Sequence, residues 1–473
     1  MLKLVTCYPA FPEMLLLGGT LFILLLDLFL KGKKGLTVCL AQCLCILVFV
    51  SLCAEKTLTP QLLYAGQYVF DAFARVMKEA VVLLSFFILV YTRKQREFAE
   101  QQSEYIFLTL FSLLGAMVLV SAASLLTVYL GLELLSLPLY ALIALRRDSA
   151  LCGEAAIKYF IMGALASGFL LFGFSLLYGL TGSLELAHIA TQVNANLLLS
   201  PSYLVVLVLI LVAVAFKLGI VPFHMWIADV YEGAPLSVTV YLASVPKLAV
   251  LALFIRVFVE SLTLAPLMLF HLLFALGVLS LVFGNCAALV QKSLRRLLAY
   301  STVGNMGLVF LAFGLSSPQG DGSALFYALV YTFSSIAVFG LILLFCEDRM
   351  NIDDLKGLHA QRPYLAFLFL LVMLSLAGIP PLIGFDAKLF VITSLLHQQQ
   401  YALAVLVVIM SVVAAAYYLK WVRAIYFEKG SERKWMSAST LSTLFININV
   451  LALLLWGIFP STLMALTYHL FSY

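Results

Sequence analysis

Four ionisable residues lie in stretches of the sequence that are otherwise apolar: Glu133, Lys217, Lys247 and Lys388. Each lies far from the ends of its stretch, and a charge near the bilayer centre costs about 2.5–3.5 kcal/mol. Four such charges would oppose insertion by roughly 10–14 kcal/mol if each stood alone in lipid. Three lysines and one glutamate leave positive charges unpaired, which suits a proton relay better than structural ion pairs. Burial disfavours the charged form of a lysine and a nearby carboxylate favours it. Movement of Glu133 relative to Lys217 would therefore switch proton uptake and release.

Four further polar residues are secondary candidates for the same relay. His224 follows Pro222 by two residues and either passes protons or caps an interrupted helix. Lys158 lies four residues after Glu154, a helical spacing that fits a structural ion pair equally well. Asn305 and Lys420 are candidates for a polar wire.

Helix-breaking residues accompany two of the lysines. Pro222 follows Lys217 in VAVAFKLGIVPFHMW (212–226), and Gly378, Pro380, Pro381 and Gly384 precede Lys388 in SLAGIPPLIGFDAKLF (375–390). Proline removes a backbone donor, and irregular backbone at membrane depth is tolerated where it is buried in protein or lines a hydrated cavity. The sequence therefore predicts two interrupted membrane helices about 170 residues apart, with DVYEGAP (229–235) as the loop after the first.

The composition requires a lipid environment. The 473 residues are 64% hydrophobic and 11% charged, with a mean hydropathy of +1.10. Apolar runs long enough to cross a bilayer recur from end to end. They predict fourteen membrane segments in one integral membrane domain, near residues 12–30, 36–54, 73–92, 104–121, 124–145, 154–181, 202–226, 235–259, 265–291, 295–316, 321–346, 364–396, 401–427 and 441–464.

The loop charges predict the orientation of these segments. With fourteen segments, the loops on one side of the membrane carry only two basic residues, Lys3 and Lys56, and the loops on the other side carry eighteen. Because the more basic loops lie in the cytoplasm under the positive-inside rule, both termini are expected outside. Five other basic residues lie at or within the segments: Arg75, Lys78, Lys158, Arg256 and Lys420. Several of them lie near segment ends, from which a long side chain could extend toward the interface. The opposite loops carry 18 basic residues: Lys31, Lys33, Lys34, Arg93, Lys94, Arg96, Arg146, Arg147, Lys292, Arg295, Arg296, Arg349, Lys356, Arg362, Arg423, Lys429, Arg433 and Lys434.

Several function classes find no support in the sequence. The eight cysteines form no CxxC pair or cluster with histidine, so we expect them to pack as small apolar residues. There is no glycine-rich nucleotide loop, no metal-ligand spacing and no nucleophilic triad. The net charge of +5 is distributed as membrane loop charge, not as a nucleic-acid surface. The N-terminus lacks a basic region leading to a cleavage site, so the first apolar segment is expected to remain as a helix.

Five stretches resemble one family of membrane subunits. The family is the antiporter-like N-type subunits of bacterial respiratory complex I, the NADH:quinone oxidoreductase, which share their fold with cation/proton antiporter subunits. The resemblance covers residues 70 to 430 in order. The stretches are GLELLSLPLYALIAL (131–145), EAAIKYFIMGALASGFLLFG (154–173), FKLGIVPFHMWIADVYEGAP (216–235), KSLRRLLAYSTVGNMG (292–307) and SLAGIPPLIGFDAKLFV (375–391).

The resemblance implies an all-α fold of about 14 transmembrane helices with two inverted five-helix repeats and broken helices. It implies three N-terminal helices over 12–95, repeats over 104–260 and 265–427, and a C-terminal helix over 441–464. It assigns the relay to Glu133, Lys217, Lys247 and Lys388. It implies no cofactor in this chain, with FMN, iron–sulfur clusters and quinone bound by other subunits. Other membrane-arm subunits and the bacterial inner membrane are the implied partner and location.

Two departures from the family pattern bear on this prediction. Ala228 replaces the proline of PDVYEGAP, and Asp386 lies two residues before Lys388. Residues two apart on a helix do not face each other, so we expect Asp386 to point away from Lys388 unless the backbone is unwound there. Relatives often carry histidine near Asn305, so the central wire would rely more on water here.

Three alternatives remain open from the sequence. One is a cation (sodium)/proton antiporter subunit of the same family. Another is a non-transporting membrane scaffold, in which the buried charges only hold helices together. The third is a quinone-binding enzyme, for which no redox centre is recognisable.

Overall fold

A computed structural model describes residues 9–29, 34–54, 60–93, 101–193, 195–198, 200–262, 267–345, 351–430 and 440–471. Some residues named in the sequence-based predictions lie outside these ranges. They are Lys3, Lys31, Lys33, Lys56, Lys94, Arg96, Arg349, Arg433, Lys434, Cys7 and Cys346. Six cysteines within the ranges are free thiols.

The described chain is a helical membrane protein, as predicted. Twelve helical spans among the described residues are long and apolar enough to cross a bilayer, one of which, Leu236–Ser261, is made of consecutive shorter helices. Of the two remaining predicted segments, one is the 20-residue helix Ala72–Tyr91, which carries Arg75, Lys78 and Glu79. The other is divided into two helices of 15 residues each. The fourteen segments predicted from hydropathy thus all have helical counterparts.

The chain forms two compact units, the first of which comprises Met1–Lys217 and Ser244–Pro266. Side chains cap its helices where the sequence provides them. Ser124 and Asp71 accept hydrogen bonds from backbone amides in the first turns of the helices they precede. A two-stranded antiparallel hairpin pairs Gln61 with Phe70. The elements of this unit are α1 Phe11–Phe29, α2 Lys34–Ala54, β1 Gln61–Leu63, β2 Tyr68–Phe70, α3 Ala72–Tyr91, α4 Gln102–Val120, α5 Leu125–Ile143, α6 Ala150–Thr181, α7 Leu186–Gln192, α8 Ala195–Leu198 and α9 Pro201–Leu218.

The second unit comprises Leu218–Ala243 and Leu267–Tyr473. Its core helix Pro318–Phe345 is almost wholly buried by its neighbours. The elements of the second unit are α10 Met225–Gly233, α11 Leu236–Leu242, α13 Leu267–Leu289, α14 Leu294–Phe313, α15 Pro318–Phe345, a 3-10 helix Ile352–Leu355, α16 Leu358–Gln361, α17 Pro363–Ala377, α18 Ile383–His397, α19 Tyr401–Phe427, α20 Thr440–Ile458 and α21 Ser461–His469. Two elements that follow α11 in the chain belong to the first unit: α12 Val245–Phe254 and a π-helix, Ile255–Ser261.

Both predicted helix interruptions are confirmed. Helix α9 ends at Leu218 and the chain becomes helical again at Met225, while α17 ends at Ala377 and α18 begins at Ile383. A glycine with positive φ follows each helix end, Gly219 at +79° and Gly378 at +82°. Left-handed backbone is readily adopted by glycine and commonly ends helices, so these glycines and the prolines that follow them cause the breaks.

The predicted loop at DVYEGAP is wrong. Residues 229–233 belong to α10, and only Ala234 and Pro235 separate it from α11. Trp226, Ile227 and Val230 are buried at helical spacing, so the energy of packing an apolar face extends the helix to its terminal glycine.

The eighth predicted segment contains an interruption that hydropathy does not reveal. Helix α11 ends at Leu242 and α12 begins at Val245, with Ser244 in a non-helical conformation at φ −126° and ψ −81°. Pro246 occupies the first turn of α12, where a missing N–H is tolerated. The broken position therefore lies two residues before Pro246.

Candidate functional site

In the first unit, Lys217 lies in the last turn of α9 and is only 8% exposed. Its Nζ donates hydrogen bonds to Ser136 Oγ at 2.7 Å and to the hydroxyl of Tyr140 at 3.4 Å. Both acceptors are neutral hydroxyls of α5 that can themselves donate. The amine is thus held by groups able to accept and release a proton in turn.

Glu133 belongs to the same face of α5, because Ser136 and Tyr140 follow it by three and seven residues. Ser167 of α6 donates a hydrogen bond to Glu133 Oε1 at 2.5 Å. Among the described residues, no ion pair within 4.0 Å joins Glu133 to Lys217. The face of α5 that carries Glu133 therefore also carries the two hydroxyls that accept hydrogen bonds from Lys217.

Lys247 is the third residue of α12 and is 2% exposed. It therefore follows a helix interruption, as Lys217 precedes one. Its position puts an amine at the amide end of a helix, where the macrodipole is positive.

Lys158 forms an ion pair with Glu154 at 2.7 Å on α6. The two side chains are 42% and 58% exposed, so this helical i, i+4 pair lies on the outer face of the unit. The ion-pair interpretation of the spacing is confirmed, and a relay role of Lys158 stays a prediction.

In the second unit, Lys388 lies in α18 and is 7% exposed. Its Nζ donates to the carbonyl oxygens of Leu376 at 3.1 Å and Ala377 at 2.8 Å. These carbonyls end α17, where the helix dipole is negative and backbone acceptors lack helical partners. The interruption therefore creates the acceptors for the buried amine. Asp386 lies within the regular helix and makes no ion pair with Lys388, as expected from the spacing.

Asn305 is buried in α14 and connects two tyrosines. The hydroxyl of Tyr327 donates to Asn305 Oδ1, while Asn305 Nδ2 donates to Ser301 O at 2.8 Å and Ser301 Oγ at 3.1 Å. Ser301 Oγ in turn hydrogen-bonds the hydroxyl of Tyr418. A cavity of about 10 Å³ separates Asn305 from Lys388.

The remaining secondary candidates lie apart from this network. His224 immediately precedes α10 without capping it, and its ring packs edge-on against Phe283 with centroids 4.6 Å apart. Its Nδ1 is buried without a hydrogen-bond partner in the described chain. Lys420 is exposed, whereas its neighbours Tyr417 and Tyr418 face inward. His224 thus occupies the N-cap position of α10 without a side-chain cap hydrogen bond, and its role in a relay stays a prediction.

Two other basic side chains within the membrane segments, those of Lys78 and Arg256, are buried. Lys78 is fully inaccessible and pairs with Glu13 Oε1 and the Tyr68 hydroxyl. Arg256 is 4% exposed and donates to both carboxylate oxygens of Asp71 and to Glu260 Oε2. Sequence reasoning missed both clusters because Glu13 and Asp71 are remote in sequence from the bases they neutralise.

Sequence reasoning also missed Ser136, Tyr140 and Ser167. Ser136 and Tyr140 could have been identified from their helical spacing from Glu133. Ser167 could have been identified from its place in a stretch of small residues of α6. Among the described residues no group of three or more histidine, cysteine, aspartate or glutamate side chains is placed to hold a metal ion. The arrangement offers exchangeable hydrogen bonds at buried amines, which is proton-transfer chemistry.

Comparisons with known proteins agree on one family. A family model described as "NADH:quinone oxidoreductase/Mrp antiporter, TM" matches residues 122–414. NADH-quinone oxidoreductase subunit N from Herminiimonas arsenicoxydans is 41% identical, over 96% of this chain and 96% of that protein.

Solved structures give the same result. A chain of respiratory complex I from Thermus thermophilus matches with a TM-score of 0.82 at 31% identity, covering 96% of this chain and 98% of that one. A chain of the Mrp complex from Dietzia sp. matches with a TM-score of 0.77 at 20% identity, covering 98% and 96%. The second likeness concerns the fold alone.

Proposed function

Because this chain belongs to the subunit N family of NADH-quinone oxidoreductase, within the wider family of Mrp-type antiporter subunits, we propose that it translocates protons in the membrane arm of respiratory complex I. It acts as a subunit of an NADH:quinone oxidoreductase, with no redox centre of its own. FMN, iron–sulfur clusters and quinone belong to other subunits. Neighbouring membrane-arm subunits are its partners, and NADH oxidation and quinone reduction elsewhere drive its protons.

The observation that carries this proposal is the burial of three lysine amines beside helix interruptions. Lys217, Lys247 and Lys388 are each less than 10% exposed, and each lies within two turns of a break. A merely structural charge would be compensated by a carboxylate. Lys217 and Lys388 instead contact hydroxyls and backbone carbonyls, partners that leave the lysine free to lose its proton. Glu133 completes the relay from α5.

The same family membership supports an arrangement in the bacterial inner membrane. We assign two inverted repeats to residues 104–260 and 265–427, with three N-terminal helices before them and one helix after. The loop charges support placing both termini on the outer side.

The test is made on the intact complex, purified through a tag on this chain and reconstituted in vesicles. Replacement Lys217→Ala should abolish proton pumping by this subunit while the complex still assembles. Lys356→Ala is the matched control, because this partly exposed loop lysine pairs only with Asp353 and Glu428 among the described residues. Normal pumping per NADH by the Lys217→Ala complex would refute the relay. Purification of a small assembly with sodium-dependent proton exchange and no NADH oxidation would favour the antiporter alternative.

A further inference from the structure

A small cavity in the second unit adjoins the amine of Lys388. Its volume of about 10 Å³ is close to what a single water molecule requires. The polar groups that line it come from α14, α15, α17 and α18 and are Asn305, Tyr327, Tyr331, Ser334, Ser375 and Lys388. Four of these residues carry hydroxyl groups.

Two polar groups at this cavity have unused hydrogen-bonding capacity. Ser375 Oγ is buried and has no partner among the described residues. An ammonium group has three donors, and Lys388 uses two of them on the carbonyls of Leu376 and Ala377. A water needs two to four polar partners to be held in a buried site. Ser375, the third donor of Lys388 and the Tyr327 hydroxyl supply them.

The hydrogen-bonded chain continues from this cavity through Asn305 to Ser301 and Tyr418, but its members differ in what they can transfer. Hydroxyls donate and accept simultaneously, so a proton can pass along them. The amide of Asn305 accepts through Oδ1 from Tyr327 and donates through Nδ2 to Ser301. A carboxamide is not a titrating group, so it orders its neighbours without passing a proton from one to the other.

A second series of hydrogen bonds leaves the cavity through Tyr331 and ends at a backbone carbonyl. Tyr331 donates to Thr302 Oγ1 at 2.7 Å, and Thr302 donates to the backbone carbonyl of Leu298 at 2.8 Å. A backbone carbonyl has no proton to pass on. Along these hydrogen bonds, the proton path from Tyr331 therefore ends at the carbonyl of Leu298, and the path from Tyr327 ends at the amide of Asn305.

We propose that Lys388 exchanges its proton through one water bound between Ser375 and Tyr327, and that Asn305 closes this site toward Ser301 and Tyr418. Asn305 is thus a positioning residue: it fixes the Tyr327 hydroxyl at the site and blocks transfer beyond it. This inference rests on the proposed relay role of Lys388.

The chain offers matched substitutions on the two sides of Asn305. Ser375→Ala and Tyr327→Phe remove hydroxyls on the Lys388 side, while Ser301→Ala and Tyr418→Phe remove hydroxyls on the far side. In the reconstituted complex, each substitution of the first pair should lower the rate of proton transfer through this subunit about tenfold or more, the factor that corresponds to one hydrogen bond involving a charge. The second pair should leave this rate unchanged. An Asn305→His exchange, which supplies a proton-carrying ring, should make pumping sensitive to Tyr418→Phe.

An equal loss from Tyr418→Phe and Tyr327→Phe in the native background would overturn the closure at Asn305. A high-resolution map of the complex should show one water within hydrogen-bond distance of Lys388 Nζ and Ser375 Oγ, and an empty cavity would overturn the site. The variant Lys388→Ala separates the two proposals. If it pumps normally, the relay role fails; if it does not pump and Ser375→Ala and Tyr327→Phe do, only the water site fails.

Discussion

At the scale of single residues, the buried lysines differ in what holds them. Lys217 donates to two hydroxyls of α5, whereas Lys388 donates to the last carbonyls of α17. Hydroxyls can return a proton and carbonyls cannot. Lys217 therefore has its exchange partners in direct contact, while Lys388 reaches its own across the small cavity.

The serine beside Lys217 allows a direct test of this contact. Ser136→Ala removes the acceptor at 2.7 Å and leaves, among the described residues, the hydroxyl of Tyr140 at 3.4 Å as the acceptor for Lys217 Nζ. A hydrogen bond to a charged group is worth about 1.5–3 kcal/mol, so the rate of proton transfer through this subunit should fall about tenfold or more. The initial rate of NADH-driven proton uptake into vesicles measures the effect. Ser85→Ala is the control, because Ser85 is buried and, in the part of the chain that the structure describes, donates only to the carbonyl of Val81. Equal losses in both variants would contradict the assignment.

Gly378 offers a second test at this scale. An added Cβ would lie 2.8 Å from Lys388 Cδ and 3.1 Å from its Nζ, and the residue has φ +82°. Gly378→Ala should therefore displace the amine and abolish its exchange, as well as cost about 1–2 kcal/mol for the left-handed backbone. Gly182→Ala carries the same backbone penalty at φ +69° with no atom within 4 Å of the new Cβ. Thermal stability should fall in both variants, and pumping only in Gly378→Ala.

At the scale of elements, one ion-pair cluster links the start of α3 to the π-helix Ile255–Ser261. Asp71 caps α3 through the amide of Ala74 and simultaneously accepts two hydrogen bonds from Arg256. Arg256 also donates to the carbonyl of Val120, which ends α4. The guanidinium of Arg256 therefore connects the π-helix to the end of α4 and the start of α3, contacts that hydropathy does not predict.

Removal of this guanidinium should destabilise the subunit strongly. Arg256→Gln leaves the partly buried Asp71 carboxylate without its buried cation, and breaking a buried pair typically costs about 3–5 kcal/mol. The measurement is the temperature at which the subunit is lost from the purified complex. Arg296→Gln breaks the pair with Asp229, whose side chains are 34% and 37% exposed, and should cost less than about 1 kcal/mol. Similar shifts in the two variants would show that Arg256 is not a structural tie.

At the scale of the whole molecule, hydropathy and loop charge specify a multi-pass membrane protein. Cysteines placed in two exposed turns test the proposed orientation. Arg147→Cys lies on the predicted inner side and Gln398→Cys on the predicted outer side. An impermeant maleimide should label Gln398→Cys in intact cells and Arg147→Cys only in inverted vesicles, with unsubstituted protein as the background. The reverse pattern would invert the topology.

Several features of this protein can be predicted from the sequence alone, because they depend on residues that are close together in the chain. Segment positions follow from runs of apolar residues, and the two breaks follow from glycine and proline beside Lys217 and Lys388. The three candidate lysines can be identified from the sequence because a charge in lipid costs free energy. A lysine within an apolar run therefore predicts a functional site without knowledge of its neighbours in space.

Other features were decided only by tertiary structure, because they depend on residues remote in the chain. The contact of Lys217 with Ser136 spans 81 positions, and that of Arg256 with Asp71 spans 185. The extension of α10 through DVYEGAP and the interruption before Lys247 depend on packing, which outweighs local propensity. The closure at Asn305 likewise exists only because folding places Tyr327, Ser301 and Tyr418 around one amide.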